Sequence, residues 1–183
     1  MNIKSKLARV AGVAAAAIGI AALGVPGVAS AGTVQPNAVN GPITCTIQTT
    51  NGRYLTAVGG GGRTTDVLHT DATRVGSWER FTLVDSGDGS SNIHYGIRTT
   101  SGRYLTAVGG GGRITDVIHS DATWLRDWEK FTFVSLGYGN YAIQTINGRY
   151  LTAVGGGGRI TDTIHSDATT VRSWETFRVT CGT

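Results

Sequence analysis

The sequence GRYLTAVGGGGRTTDVLHTDATRVGSWERF at positions 52–81 decides the fold, because close copies of it occupy positions 102–131 and 148–177. Of its 30 positions, 21 are identical in all three copies, and no copy carries an insertion or a deletion. A repeat of this length is one supersecondary unit that cannot bury its apolar face alone. We therefore expect the three copies to pack against one another in a single domain.

The residues within each repeat predict β-strands. Short runs rich in Thr, Val, Ile, Tyr and Phe alternate with clusters of Gly, Asn, Asp and Ser, which is typical of an all-β sandwich or barrel. In the first copy the predicted strands cover residues 46–49, 53–58, about 66–70 and 78–84. Four strands per repeat give twelve strands over repeats of about 45–92, 93–138 and 139–183.

Twelve short strands in three near-equal units predict a β-trefoil, a six-stranded barrel capped by three hairpins. Closure of the barrel removes the exposed sheet edges that an open array would leave. A three-bladed propeller is the alternative, and it is disfavoured because propellers typically have about four to eight blades. Alternation along the strands predicts a core made of Ile47, Leu55, Ala57, Leu68, Phe81 and Leu83, with their repeat mates.

The repeats differ in length at one point. The spacing from Trp78 to Trp128 is 50 residues, and the spacing from Trp128 to Trp174 is 46. We expect one turn to absorb this difference, at 85–92 in the first repeat and 135–140 in the second.

Residues 1–31 have the features of a secretory signal peptide. A basic head precedes an apolar run at 10–23, and Ala29-Ser30-Ala31 supplies the small residues of a cleavage site. The apolar run is shorter than the roughly 20 residues that span a bilayer. We therefore predict cleavage after Ala31, a secreted mature chain without a membrane span, and a flexible leader at 32–42.

The charge balance gives no reason to expect a nucleic-acid partner. Three of the 16 Lys and Arg residues lie in the predicted signal, which contains no Asp or Glu. Cleavage would leave 13 bases against 12 acids, a net charge of +1. The Arg residues are dispersed through the repeats and form no basic cluster.

The two cysteines, Cys45 and Cys181, stand at the two ends of the repeated region. An even pair in a secreted protein indicates a disulfide. Ring closure requires the first and last strands to pair, and antiparallel pairing would bring these two residues opposite each other. We therefore predict a disulfide that closes the barrel.

The frame G-R-Y-L-T-A…G-G-G-G…W-E-x-F, present in all three repeats, resembles the repeat of fascin-like β-trefoils and of the secreted bacterial trefoils of carbohydrate-binding module family 92. Fascin-like proteins bundle actin inside eukaryotic cells, which an exported chain cannot do. The module family implies binding of β-1,3- and β-1,6-linked glucans, at one shallow site per repeat built from a Trp and a neighbouring acid. By position, the resemblance implies sites at Trp78 with Glu79, Trp128 with Glu129, and Trp174 with Glu175.

The residue pattern also indicates, without the resemblance, that the tryptophans could bind a sugar. Trp78 has the opposite parity to Phe81 on the predicted strand, so its ring should face solvent, where a flat indole suits the C–H face of a pyranose. The alternative is a structural Trp that packs across the hairpin cap. Trp124 occurs only in the second repeat and should enlarge that site. Further polar contacts are expected from Arg63, Asp71, Arg113, Asp121, Arg159 and Asp167.

Two roles remain open for Glu79 and its mates. Glu79 shares parity with Phe81, so alternation directs it toward the core. The Glu-x-Phe spacing also resembles the Gln-x-Trp of ricin-type trefoils, in which the polar residue braces the fold. The side chain is therefore either a hydrogen-bonding strut or a sugar contact.

Metal, cofactor and enzyme hypotheses find little support. His69, His119 and His165 each precede an Asp by two residues, but one repeat offers too few ligands for a closed metal shell. A glycosidase needs two carboxylates in unlike environments, whereas each acid here recurs in three near-identical copies. We predict no metal, no cofactor and no catalysis.

These observations predict a secreted, monomeric, trivalent lectin-like protein whose partner is a polysaccharide or glycan, of β-glucan type by the resemblance. The alternative is a secreted protein-binding trefoil, such as a hydrolase inhibitor, whose contacts would come from one variable loop. Identical repeated sites favour the lectin.

Overall fold

A computed structural model describes residues 42–182. The predicted signal peptide lies outside these residues, as does all of the predicted leader except its last residue. Within the described part the chain forms twelve strands: β1 Ile43–Gln48, β2 Tyr54–Ala57, β3 Leu68–Ala72, β4 Phe81–Asp85, β5 His94–Arg98, β6 Tyr104–Ala107, β7 Ile118–Ala122, β8 Lys130–Gly137, β9 Asn140–Thr145, β10 Tyr150–Ala153, β11 Ile164–Ala168 and β12 Phe177–Cys181.

Six of these strands close into a barrel. β1 pairs with β4, β4 with β5, β5 with β8, β8 with β9, β9 with β12, and β12 with β1, and every pair is antiparallel. Because the ring returns to its first strand, both sides of every barrel strand are paired. The other six strands form one hairpin per repeat: β2–β3, β6–β7 and β10–β11. The predicted all-β architecture, a six-stranded barrel with three hairpins, is confirmed.

The three hairpins bond to one another in a closed ring around the pseudo-threefold axis. In each repeat the N–H of the fourth glycine of the Gly-Gly-Gly-Gly run donates to a carbonyl oxygen in the third strand of another repeat. These bonds are Gly62 to Ser120 at 2.8 Å, Gly112 to Ser166 at 2.7 Å and Gly158 to Thr70 at 2.7 Å. Each repeat therefore depends on a neighbour to complete its hairpin, as expected for units that cannot fold alone.

The predicted core is buried with one exception. Ile47, Leu55, Ala57, Leu68, Phe81 and Leu83 are each at most 5% exposed, and their repeat mates are similarly buried. The exception is Phe133, the mate of Leu83, which is only partly buried. Its ring packs edge-on against Tyr95 and Tyr141, with ring centroids 6.0 and 6.4 Å apart, a favourable geometry for aromatic pairs.

The predicted disulfide is present. Cys45 and Cys181 are directly paired residues of β1 and β12, and their sulfur atoms are bonded at 2.06 Å across a sequence separation of 136 residues. The bond therefore seals the barrel at the place where the first and last strands meet.

The starts of three predicted strands were wrong. The first strand begins at Ile43, three residues earlier than predicted. The third strand begins at Leu68, two residues later than predicted, because Asp66 has a positive φ of 50°, which interrupts extended backbone. The fourth strand begins at Phe81, because Trp78 and Glu79 lie in a turn before it. The equivalent residues of the later repeats lie in 3-10 turns, Asp127–Glu129 and Ser173–Glu175.

The length difference between repeats lies where it was predicted. Residues 86–93 connect β4 to β5, whereas only Tyr138 and Gly139 connect β8 to β9. Helical segments in residues 42–182 are short, and none has the length and apolar character needed to cross a membrane.

Candidate functional site

The three repeated tryptophans present their side chains to solvent at equivalent positions. Trp78 is 47% exposed, Trp128 is 50% exposed and Trp174 is 48% exposed. We predicted this outward direction from alternation along the fourth strand. The tryptophans precede that strand in each repeat, so their direction has another cause. The turn itself directs the indole outward and the next residue inward.

That next residue is a buried glutamate in every repeat. Glu79, Glu129 and Glu175 are 8%, 6% and 7% exposed. One carboxylate oxygen of Glu79 accepts a hydrogen bond from the Thr56 hydroxyl at 2.8 Å, and the other accepts one from the Gly76 N–H at 2.7 Å. Glu129 and Glu175 make the same pair of bonds.

This geometry is that of the strut, one of the two roles left open by the sequence. Both oxygens are occupied, and the bond to Thr56 fastens the tryptophan turn to strand β2. A buried carboxylate needs such partners, because an unpaired one would be costly. We therefore leave the three glutamates out of the proposed contact surface, contrary to the role carried over from the resemblance.

The indole edge rests on the glycine run of its own repeat. A methyl group added at Gly60 would lie 3.5 Å from Cδ1 and Nε1 of Trp78, and one added at Gly156 would lie 3.6 and 3.7 Å from the same atoms of Trp174. The next glycine, Gly61, has a φ of 104°, and its added methyl would lie only 2.3 Å from the Thr99 hydroxyl. The glycines thus provide a close-packed backbone support on which the ring rests.

Each site is completed by a turn from another repeat. The N–H of Ser101, between β5 and β6, donates to the Gly60 carbonyl at 3.0 Å. The equivalent bonds run from Asn147 to Gly110 and from Asn51 to Gly156, both at 3.3 Å. The surface around each indole therefore contains residues from two repeats, a feature that the sequence of one repeat does not reveal.

The predicted arginine contacts are engaged within their own hairpins. Arg63 donates through Nε to the Thr65 carbonyl at 3.2 Å and through Nη2 to Asp66 at 3.3 Å, and His69 Nε2 lies 2.7 Å from the other oxygen of Asp66. Arg113 and Arg159 make the same contacts. This network holds the hairpin turn at Asp66, and the Arg side chain still retains 41% of its surface.

The predicted aspartate contacts are exposed. Asp71 and its mates Asp121 and Asp167 are on the surface, and the Asp71 backbone carbonyl accepts a bond from Arg53 at 3.4 Å. Within residues 42–182, no hydrogen bond joins these carboxylates or the three arginines to a tryptophan. Their part in a sugar site therefore stays a prediction.

Trp124 has the most exposed indole of the described residues, at 71%. It lies four residues before Trp128, in the segment between β7 and the Asp127–Glu129 turn. Arg74 and Thr170 occupy the equivalent positions. The second repeat therefore carries two exposed indoles where the others carry one.

The histidines pair with the aspartates of the hairpin turns. His69 contacts Asp66 and not Asp71, and its mates do the same with Asp116 and Asp162. Among residues 42–182, no group of three or more His, Cys, Asp or Glu side chains is arranged to hold a metal ion.

A pocket of about 620 Å³ lies where the three hairpins meet, and the sequence analysis missed it. It is lined by the same five positions of each repeat, 64–68, 114–118 and 160–164. Ile114 and Ile160, which line it, are each 56% exposed. An apolar residue in an otherwise polar turn was the only feature of the sequence that could have indicated this pocket.

Neither protein-family models nor curated protein sequences give a match to this chain. Solved structures do. A designed threefold-symmetric protein, ThreeFoil, superposes with a TM-score of 0.61 at 16% identity, covering 74% of this chain and 96% of that one. The Rhizoctonia solani agglutinin gives 0.62 at 14% identity, covering 78% and 96%. A Polyporus squamosus lectin gives 0.59 at 14% identity, covering 76% and 49%.

At these identities the similarity establishes the fold alone. The chain is a β-trefoil, as the repeats predicted. The narrower resemblance to carbohydrate-binding module family 92 and to fascin-like repeats has no matching family model and stays a prediction.

Proposed function

We propose that this protein is a secreted, trivalent carbohydrate-binding protein with one shallow tryptophan site per repeat, directed at β-glucan-type polysaccharides. The observation that carries the proposal is the set of three half-exposed indoles, held at equivalent positions by a buried glutamate and a glycine run. A half-exposed aromatic ring in a soluble protein is available for a ligand at little reorganisation cost.

The chemistry of the site suits a sugar. The indole face is flat and apolar, which matches the C–H-lined face of a pyranose. Hydroxyl and amide groups of the adjoining turn, such as Thr100 and Ser101 beside Trp78, offer donors and acceptors for sugar hydroxyls. A site without walls should bind weakly, with a dissociation constant of roughly 1 mM for a single sugar.

Three sites on one rigid barrel would raise the affinity for a polymer. Once one site holds the chain, a second site on the same barrel meets the polymer at high effective concentration. Avidity of ~10²–10⁴ over a single site is then expected without any new contact. This is the reason for proposing a polysaccharide as the partner of a monomeric protein.

Other trefoils support the general class of function. The Rhizoctonia solani structure is described as an agglutinin, and the Polyporus squamosus lectin is described as bound to the epitope Neu5Aca2-6Galb1-4GlcNAc. The β-glucan preference rests on the sequence resemblance. The absence of catalysis is proposed because each acid of the repeat is either a buried strut or present in three similar surroundings. Secretion is proposed from the features of residues 1–31.

The proposal is tested by co-sedimentation with insoluble β-1,3-glucan. The wild-type protein should sediment with the polysaccharide, and soluble β-1,3-glucan should compete it off. The triple variant Trp78→Ala, Trp128→Ala, Trp174→Ala should stay in the supernatant while keeping the wild-type far-ultraviolet circular dichroism spectrum. Equal sedimentation of both proteins, or none of either on β-1,3- and β-1,6-glucans, would reject the proposal and favour the protein-binding alternative.

A further inference from the structure

The three tryptophan sites differ in the turn that completes them. Beside Trp78 the turn carries Thr100 and Ser101, and beside Trp174 it carries Thr50 and Asn51. Added methyl groups at Gly60 and Gly156 would both meet a threonine hydroxyl, at 3.0 and 3.2 Å. These two sites are therefore alike.

At the site of the second repeat the same place is taken by a carboxamide from the third repeat. A methyl group added at Gly110 would meet Nδ2, Cγ and Oδ1 of Asn147 at 2.7, 2.9 and 3.0 Å. Asn147 Nδ2 donates to the Gly109 carbonyl at 3.0 Å. The position of the threonine is filled by Ile146.

The orientation of Asn147 differs from that of Asn51, although both residues occupy the same position in their repeats. The Asn51 carboxamide oxygen turns inward and accepts a bond from the Thr49 hydroxyl at 2.8 Å. Thr145, the mate of Thr49, has a buried hydroxyl without a hydrogen-bond partner, because Asn147 has turned toward the glycine run. Asn147 is exposed, and within residues 42–182 its Oδ1 accepts no hydrogen bond.

The second repeat carries a further exposed indole, Trp124, close in sequence to Trp128. Trp124 is 71% exposed and stands four residues from Trp128, and four residues span at most about 14 Å of chain. An exposed carboxamide with a free acceptor and two neighbouring indoles form a larger recognition surface than one indole beside a threonine hydroxyl.

We propose that the site of the second repeat is the principal one. It takes an oligosaccharide of two or more sugar residues, one on Trp128 with its hydroxyls bonded by Asn147 and another on Trp124, while the sites at Trp78 and Trp174 each take one residue. This inference rests on the proposed carbohydrate-binding function and removes the equivalence of the three sites that the repeats suggested.

The test uses proteins with one intact site, made by replacing the other two repeated tryptophans with Ala and, wherever the second site is removed, Trp124 with Thr. Isothermal titration with a β-1,3-linked glucose disaccharide and hexasaccharide should show the second site binding the hexasaccharide at least ~5-fold more tightly than either other site. The other two sites should bind both sugars with affinities within about twofold of each other, since one sugar residue fills them.

The repeats supply matched substitutions. In the protein that keeps only the second site, Trp124→Thr gives the residue of the third repeat and should remove the hexasaccharide advantage, so that the hexasaccharide and the disaccharide bind within about twofold of each other. Asn147→Ser gives the residue that completes the first site, Ser101, and should weaken the binding of both sugars by about fivefold. In the protein that keeps only the third site, Thr170→Trp should create the hexasaccharide advantage. Thermal unfolding checks that each variant is folded. The same substitutions in the otherwise unaltered protein give a second measurement of their effect on sugar affinity.

The outcomes separate the two claims. Three sites of equal affinity, or Trp124→Thr and Asn147→Ser both without effect, would overturn the inference and leave the proposed function standing. Failure of the unaltered protein to bind β-1,3- or β-1,6-linked oligosaccharides and polymers would remove the proposed function, and this inference would fall with it.

Discussion

The buried glutamate of each repeat determines where the neighbouring indole points. Glu79 ties the backbone N–H of Gly76 to the hydroxyl of Thr56, and the residue before it, Trp78, is left on the surface. In the proposed site the strut therefore serves to position the indole, since both of its carboxylate oxygens are already bonded within the protein. Loss of the carboxylate would leave the buried Thr56 hydroxyl unpaired, which is costly in free energy, and would leave the exposed Gly76 N–H to solvent.

Glu79→Ala should therefore lower the free energy of unfolding by ~1–3 kcal/mol. Asp71→Ala, which removes an exposed carboxylate of the same repeat, should change it by less than ~0.5 kcal/mol. Urea unfolding followed by circular dichroism measures both. Similar values for the two variants would mean that the strut does not stabilise the fold.

Two adjacent glycines give a second comparison at this scale. Gly61→Ala places a methyl group 2.3 Å from the Thr99 hydroxyl at a φ of 104°, whereas Gly62→Ala, at a φ of 85°, meets no atom within 4 Å. Both pay for positive φ, at ~1–3 kcal/mol, and only the first adds a clash. The melting temperature of Gly61→Ala should be lower than that of Gly62→Ala by several degrees. Equal melting temperatures would contradict the close packing of Gly61 against Thr99 of the neighbouring turn.

At the scale of the element, the unique loop 86–93 is fastened beside the second tryptophan site. His94 Nδ1 lies 2.8 Å from Asp88, and Lys130 Nζ lies 3.3 Å from Asp88 and 3.0 Å from Asp127. The bond from His94, with help from the Ser90 N–H and Lys130, holds the pKa of the Asp88 carboxyl well below its ordinary value of 3.8. Conversely, the Asp127 carboxylate is the main cause of the raised pKa of Lys130.

The sign of this shift gives a pH prediction. A carboxyl group with a lowered pKa in the folded protein stabilises the loop fully above its ordinary pKa of 3.8, and this stabilisation is lost as the pH falls further. The heteronuclear NOE values of residues 86–93 should match those of the barrel at pH 6 and fall at pH 2. Asp88→Asn should lower them at both pH values, and Ser91→Ala should not. Unchanged values in Asp88→Asn would show that the loop is held by other contacts.

Most of the strands, but not all of their bounds, could be predicted from the sequence. Repeat length and composition predicted twelve strands, their closure and the core, because those features repeat three times. The third strand was misplaced because the positive φ of Asp66 depends on its bonds to Arg63 and His69, which sequence spacing does not encode. The different orientations of Asn51 and Asn147 could not be predicted, because residue type and position are the same for both. Their hydrogen bonds distinguish them: Asn51 accepts from Thr49, whereas Asn147 donates to the Gly109 carbonyl.

At the scale of the whole molecule, stability depends on closure of the ring at β1 and β12. The Cys45–Cys181 bond joins residues 136 positions apart, so it restricts the unfolded chain strongly. By the chain-entropy argument this is worth ~4–5 kcal/mol at most. The barrel, the three hairpins and the tryptophan sites between repeats therefore all depend on the pairing of β1 with β12.

Cys45→Ala with Cys181→Ala should therefore lower the guanidinium midpoint, with a loss of up to ~4–5 kcal/mol in the free energy of unfolding. The wild-type protein under reducing conditions should behave like the double variant, and the double variant should be unaffected by reductant. A loss below ~1 kcal/mol would show that strand pairing alone closes the barrel.

The central claim is that the solvent-facing indoles are the binding surface for glycan. The most direct measurement is intrinsic tryptophan emission while soluble β-1,3-glucan is titrated into the protein. We predict a saturable change in emission for the wild-type protein, with a midpoint that moves to higher glucan concentration in each of Trp78→Ala, Trp128→Ala and Trp174→Ala. With all three combined, the remaining indole, Trp124, should show no saturation over the same range. A flat titration of the wild-type protein, or a triple variant whose remaining indole titrates with the wild-type midpoint, would show that these indoles are not the binding surface.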